Sequence, residues 1–249
     1  SYVPADIYWL NMLTDSLGHP LPHLLPVDTT IHCALKGFAG GIDQWGVPIV
    51  THLHGGKSES ESDGLPEAWY TPNFGIKGMD FTKGDLLPYH YSNAQPSSTS
   101  WYHDHALGLT RLNVYAGPAG AYLVTGGNQD MPAGSLPSGA FDVPLVIQDR
   151  TFNADGSFYY PDTRTVFDGW TGPYIPATPV PPIWQPEYFA NTMLVNGKVY
   201  PTHPVAQGVN RFRILNACNA RFLNLKLVYE DPAVPGEPLG GYLAPTPAL

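Results

Sequence analysis

Short apolar or alternating runs, each closed by turn-forming residues, recur along most of this chain, and helical periodicity is nearly absent. Examples are Ala121–Thr125 (AYLVT), Val143–Gln148 (VPLVIQ), Asn191–Val195 (NTMLV) and Arg211–Leu215 (RFRIL). Runs of this length bounded by Gly, Pro, Asn and Asp have the signature of strands. Asn153–Gly156 (NADG) lies between two β-rich segments and predicts a hairpin turn. Asn196-Gly197, between MLV and KVY, predicts a type I′ turn, because Asn and Gly tolerate the positive φ needed at both central positions. The 26 glycines, 27 prolines and only 13% charged residues agree with a folded, loop-rich, all-β protein. The chain is too apolar and aromatic to be disordered.

Its 249 residues suffice for one large or two medium domains. Gly126–Ala140 (GGNQDMPAGSLPSGA) concentrates Gly, Pro and Ser, and is expected to link a domain over residues 1–125 to a second over 141–249. Thr171–Pro186 is expected to be a long surface connection, and the tail Asp231–Leu249 to pack loosely. The formal net charge of -9 and the lack of any Lys/Arg run argue against nucleic acid or an anionic membrane as partner. No apolar run approaches the roughly 18 residues of a spanning helix. No signal-peptide pattern starts at Ser1, which fits either a mature chain or one never exported, so localisation stays open. Cys33 and Cys218 could form a bridge, although buried free thiols are the commoner state of such residues.

Two His-x-His pairs carry the chemical signal. The first lies in Thr51-His52-Leu53-His54-Gly55-Gly56 and the second in Trp101-Tyr102-His103-Asp104-His105. On a strand, residues i and i+2 share a face about 6.5–7 Å apart, so both imidazoles of a pair can reach one small metal cluster. Imidazole suits copper, zinc, iron and nickel. One pair is a weak signal; two in a chain of nine histidines, both among aromatic and Gly residues, are much stronger. His19, His23, His32, His90 and His203 have no paired partner and are expected to be structural or surface histidines. Glu67, Trp69 and Trp101 are expected to anchor packing and loops, and Arg111 and Asn113 to organise a loop behind the second pair.

The segments THLHGGKSESESDGLPEAW and YHYSNAQPSSTSWYHDHALGLTRLNVYAGPAGAYLV closely resemble the first cupredoxin domain of multicopper oxidases. The nearest groups are the spore-coat laccases, bilirubin oxidases and phenoxazinone synthases. LPVDTTIH upstream and VPLVIQDRTFNADGSFYYP, LVNGKVYP and NRFRILNACNARF downstream extend the resemblance over most of the chain. It implies a cupredoxin-like Greek-key β-sandwich, near-complete but lacking its opening strands, followed by part of a second. It also implies half of a trinuclear copper site. By resemblance His52 would bind the type 2 copper, His54 and His103 one type 3 copper, and His105 the other. Leu53 and Asp104 would point away, as strand alternation requires. Asp63 matches an acidic residue near the cluster in spore-coat laccases and would serve proton delivery; a plain Ser-Asp-Gly turn residue is the equal alternative.

The resemblance also marks departures. No HPxHxxG or HCHxxxH segment is present, and Cys218, in Asn216-Ala217-Cys218-Asn219, has no His beside it. Four of the family's ten usual copper ligands are matched. The type 1 copper is therefore expected on a missing portion or a complementary chain. With that portion, the implied activity couples oxidation of a small reducing substrate, phenolic or similar, to reduction of dioxygen to water. Two other readings stay open: a zinc or binuclear-metal hydrolase, since His-x-His also opens such sites, and a non-catalytic β-sandwich that binds a partner.

Overall fold

A computed structural model of the chain describes residues 5–7, 14–28, 41–81, 89–127, 130–163, 165, 169, 171, 187–229 and 231–234. Its elements are almost all strands: β1 (Ala5–Ile7), β2 (Thr51–His54), β3 (Tyr89–Tyr91), β4 (Ser98–Asp104), β5 (Ala119–Val124), β6 (Asp142–Phe152), β7 (Phe158–Tyr159), β8 (Thr192–Val195), β9 (Lys198–Val199) and β10 (Arg211–Asn216). Two short α-helices, α1 (Gly41–Trp45) and α2 (Thr110–Ala116), accompany them. The protein is all-β and cupredoxin-like.

Strand pairing among the described residues stays on one side or the other of the Gly/Pro-rich stretch at 126–140. On the N-terminal side, β1 pairs with β3, and β2-β4-β5 form an antiparallel sheet. On the C-terminal side the order is β10-β6-β8-β9, with β10 parallel to β6 and β7 folded back on the end of β6. Both turns expected from the sequence form. Asn153 and Ser157 close the β6–β7 hairpin through Asn153 N–H donating to the Ser157 carbonyl at 2.8 Å. Asn196 and Gly197 join β8 to β9 with φ of 50° and 78°, the positive pair a type I′ turn requires.

One element differs from expectation. The stretch TRLNVYA, expected as a loop, is the helix α2, two turns long and so too short for its apolar period to stand out in sequence. Leu109, Leu112 and Tyr115, three apart, bury one face. Gly117, at φ 146°, ends the helix and donates its N–H to the Asn113 and Val114 carbonyls. Cys218 is a free, partly buried thiol that burial pushes up to about 11. Cys33 and His32, residues 172–186 of the Pro-rich connection and 235–249 of the tail lie outside the described residues.

The core lies behind β2 and β4, where Val50, Leu53, Trp69, Tyr70 and Leu109 are buried. Burying a side chain such as Leu53 contributes about 1.5–3 kcal/mol. Tyr115 carries this core across to the C-terminal sheet: its hydroxyl donates to the Tyr159 carbonyl at 2.9 Å and accepts the Thr151 N–H at 2.7 Å. The buried Arg150 guanidinium sits 4.5 Å from the Tyr115 ring centroid and donates to the Val114 and Asp149 carbonyls. These contacts fix the C-terminal sheet against the elements that carry the histidines.

Candidate metal centre

Strand register brings the two His-x-His pairs together. In the antiparallel β2–β4 pair, His52 faces His103 and His54 faces Trp101, so His52, His54 and His103 project on one side of the sheet. His105 follows β4 directly, and its N–H donates to the Val50 carbonyl at 2.9 Å, continuing the ladder by one step. The His52 ring centroid is 5.6 Å from that of His54, 5.5 Å from His103 and 4.9 Å from His105. His54 and His103 are 5.5 Å apart, and His103 and His105 5.8 Å. One ring nitrogen each of His52, His54 and His103 fall within 4.8 Å of one another. Trp101 walls one side, 4.3 Å from the His103 ring and 5.7 Å from that of His54.

Main-chain carbonyls select which nitrogen faces the centre. His52 Nδ1 donates to the Asp63 carbonyl at 2.5 Å, and His103 Nδ1 to the Asp104 carbonyl at 2.7 Å, which directs the Nε2 of each inward. His54 instead presents Nδ1, 3.3 Å from His103 Nε2. Burial pushes the His103 ring down to about 4, reinforced by the neighbouring imidazoles. Burial also lowers His105. Both rings are therefore neutral at pH 7, the form that binds a metal ion. His105 Nδ1 is buried and has no hydrogen-bond partner among the described residues.

The opposite face of the same strands is a packed polar lattice. Asp104, fully buried, accepts the Val50 N–H at 2.9 Å on Oδ1, and the Ala106 N–H at 3.1 Å and Asn113 Nδ2 at 2.9 Å on Oδ2. Burial pushes its carboxyl up to about 7 despite these donors. Asn113 also donates to the Pro48 carbonyl at 3.0 Å, and its Oδ1 accepts from His23 Nε2 at 3.1 Å. The Leu25 N–H donates to His23 Nδ1 at 2.9 Å, which fixes the His23 tautomer. Leu53 and Asp104 do point away from the histidines, while Trp69 is core packing. Asp63 stands beside His52, its Oδ1 3.6 Å from Nδ1 and its side chain 39% exposed. His54, His103 and His105 open onto a cavity of about 400 Å³ that Arg150, Cys218 and Asn219 also line. His19 pairs with Asp15 at the surface, and His90 and His203 are exposed.

No protein-family model matches this chain. The laccase of Bacillus stratosphericus is 43% identical over 223 residues, 90% of this chain and 39% of that protein. Multicopper oxidase LPR1 homolog 3 of Oryza sativa subsp. japonica is 43% identical over 225 residues, 90% of this chain and 37% of that one. Among solved structures, the McoA multicopper oxidase of Aquifex aeolicus superposes with a TM-score of 0.51 at 29% identity, covering 70% of this chain and 32% of that one. About nine tenths of this chain is homologous to laccases and multicopper oxidases. It spans less than two fifths of the curated relatives it matches. The laccase-like multicopper oxidase CueO of Ochrobactrum sp., 27% identical with a TM-score of 0.50, is described as active towards lignin model compounds and lignosulfonate.

The donor set fits the copper that the multicopper oxidase family implies. Two imidazole nitrogens bound at about 2 Å to one ion stand a little over 3 Å apart, the spacing of His54 Nδ1 and His103 Nε2. The unpartnered His105 Nδ1 and the inward Nε2 of His52 supply further nitrogen donors. Sequence reasoning placed these rings but missed the Asp104–Asn113–His23 lattice. Its one sequence signal is an Asp between two outward histidines, which alternation sends into the core.

Proposed function

We propose that this chain supplies half of the trinuclear copper site of a laccase-like multicopper oxidase. The convergence of four imidazoles from two His-x-His segments carries the reading. In it, His52 holds the type 2 copper, His54 and His103 one type 3 copper, and His105 the other. Copper there would supply the reduction of dioxygen to water, with electrons that a type 1 copper takes from a small reducing substrate. The remaining ligands and the type 1 copper lie on polypeptide beyond this chain or on a complementary chain. The organisation that goes with this is a cupredoxin domain over 1–125, a linker over 126–140 and part of a second domain over 141–249.

The chain's own residues perform three tasks. The Asp63 and Asp104 carbonyls hold His52 and His103 in the tautomer that offers Nε2. Trp101 packs against the His54 and His103 rings and restrains them. The Asp63 carboxylate, half in solvent and 3.6 Å from His52, can take a proton from water and release it beside the centre. An all-β fold disfavours the barrel hydrolases that also use His-x-His.

The test is metal and oxygen analysis of the enzyme assembled with its remaining ligands. Copper, with no stoichiometric zinc, is expected, and His103→Ala should abolish oxygen uptake while type 1 reduction by substrate persists. Normal oxygen uptake by His103→Ala, or zinc in place of copper, refutes the assignment.

A further inference from the structure

Tyr91 ends the short strand β3 with its side chain turned inward, 1% exposed. Its ring packs edge-on against Tyr122 at 6.0 Å. Its hydroxyl is buried and has no hydrogen-bond partner among the described residues. A buried phenol hydroxyl without a partner is costly, and native structures rarely keep one. The Tyr122 hydroxyl is already engaged, donating to Asn93 Oδ1 at 2.9 Å.

What lies against β3 is the loop that carries Asp63. Ser62, 1% exposed, accepts the His90 N–H on its Oγ at 3.0 Å, which ties the residue before Asp63 to the residue before Tyr91. Gly64, at φ +76°, lets the same loop press against β2: a Cβ there would collide with the Thr51 carbonyl. The loop is thus pinned on both flanks of Asp63. The Asp63 charge is close enough to oppose ionisation of Tyr91, second to burial and the Tyr122 hydroxyl.

We propose that Tyr91 is a positioning residue for Asp63: its buried hydroxyl donates to one bound water that in turn donates to the Asp63 carboxylate, and so aims it at His52. This rests on the reading of Asp63 as the proton-bearing group of the site. A carboxylate at the end of a solvent-facing loop samples several rotamers, and one donor from a rigid strand restricts it to the rotamer beside the centre.

The experiment is a double-mutant cycle of Tyr91→Phe and Asp63→Ala, with Tyr122→Phe as a control that removes a hydroxyl from the same aromatic pair. In the metal-free protein, Tyr91→Phe is expected to lower the melting midpoint by about 3 °C or more, and to add nothing once Asp63 is Ala. In the copper-loaded enzyme, Tyr91→Phe should retain copper, lower kcat by about tenfold, leave KM for dioxygen unchanged and alter the type 2 copper EPR spectrum. Tyr122→Phe should leave that spectrum unaltered. A midpoint that rises in Tyr91→Phe, or an equal effect with and without the Asp63 carboxylate, overturns the proposal. If the stability coupling holds while Asp63→Ala leaves kcat unchanged, the contact stands and the proton role of Asp63 falls.

Discussion

Replacing Asp104 tests whether the lattice behind the histidines holds the site in shape. Its carboxylate takes three donors: the Val50 N–H on Oδ1, and the Ala106 N–H and Asn113 Nδ2 on Oδ2. An Asn at this position keeps one acceptor oxygen. The better flip leaves that oxygen at the Oδ2 position, serving two donors, and sets an NH₂ against the Val50 N–H. One buried donor is then orphaned, at about 1–3 kcal/mol. Ala orphans all three, and even with water entering the vacated space the cost is roughly 3–6 kcal/mol. Domains of this kind hold about 5–15 kcal/mol in total. Asp104→Asn should therefore lower the melting midpoint by about 4–8 °C, taking 2 kcal/mol as typical, whereas Asp104→Ala should approach the unfolding limit. The loss should also splay β2 from β4, so copper content should fall further in Asp104→Ala than in Asp104→Asn. Thermal unfolding with metal analysis of both variants measures this. A parent-like midpoint for Asp104→Asn, or equal midpoints for the two variants, would refute the reasoning.

Four further outcomes are expected. Gly64→Ala combines a left-handed backbone with collision against the Thr51 carbonyl, so it should lower stability by more than about 1 kcal/mol and disturb the β2 amide resonances; wild-type stability would contradict this. Asn113→Ala strips its donations to Pro48 and Asp104 and the acceptor for His23, and should cost about 2–4 kcal/mol in urea unfolding. Asp63→Asn should slow turnover about tenfold or more while copper content stays constant; loss of copper would make Asp63 a ligand or a folding residue. Arg213 forks onto Asp142 at 2.7 and 2.6 Å and holds its carboxyl below the ordinary range, so this clamp's stabilisation is complete above about pH 4 and is lost as pH falls through the lowered folded value. Asp142→Asn should remove that part of the acid-unfolding limb, and an identical limb in the variant would count against the clamp.

Much of the fold was legible because strand and turn chemistry is local. The Asn-Gly turn and the NADG hairpin follow from positive φ at named residues, and the His-x-His spacing follows from a period of two. Strand ends were less legible: β6 runs on to Phe152 because β7 folds back on it, a pairing invisible in the run VPLVIQ. The helix α2 was missed because two turns display too little periodicity, and its burial against the core decides its conformation.

By itself, the sequence determined an all-β chain, the two pairs of imidazoles on outward strand faces, and which residues between them turn inward. Those properties depend only on neighbours along the backbone. The tertiary structure decided the rest. Register alone sets His52 opposite His103, and a slip of one residue would send that whole face into the core. Only the loop closed by Ser62 and Gly64 brings the Asp63 carbonyl to His52, eleven positions away. His23 joins Asn113 across 90 residues, and Tyr115 joins Thr151 across 36. Hydrogen bonds of that span need donors and acceptors brought together by packing, and no local pattern encodes where such partners meet.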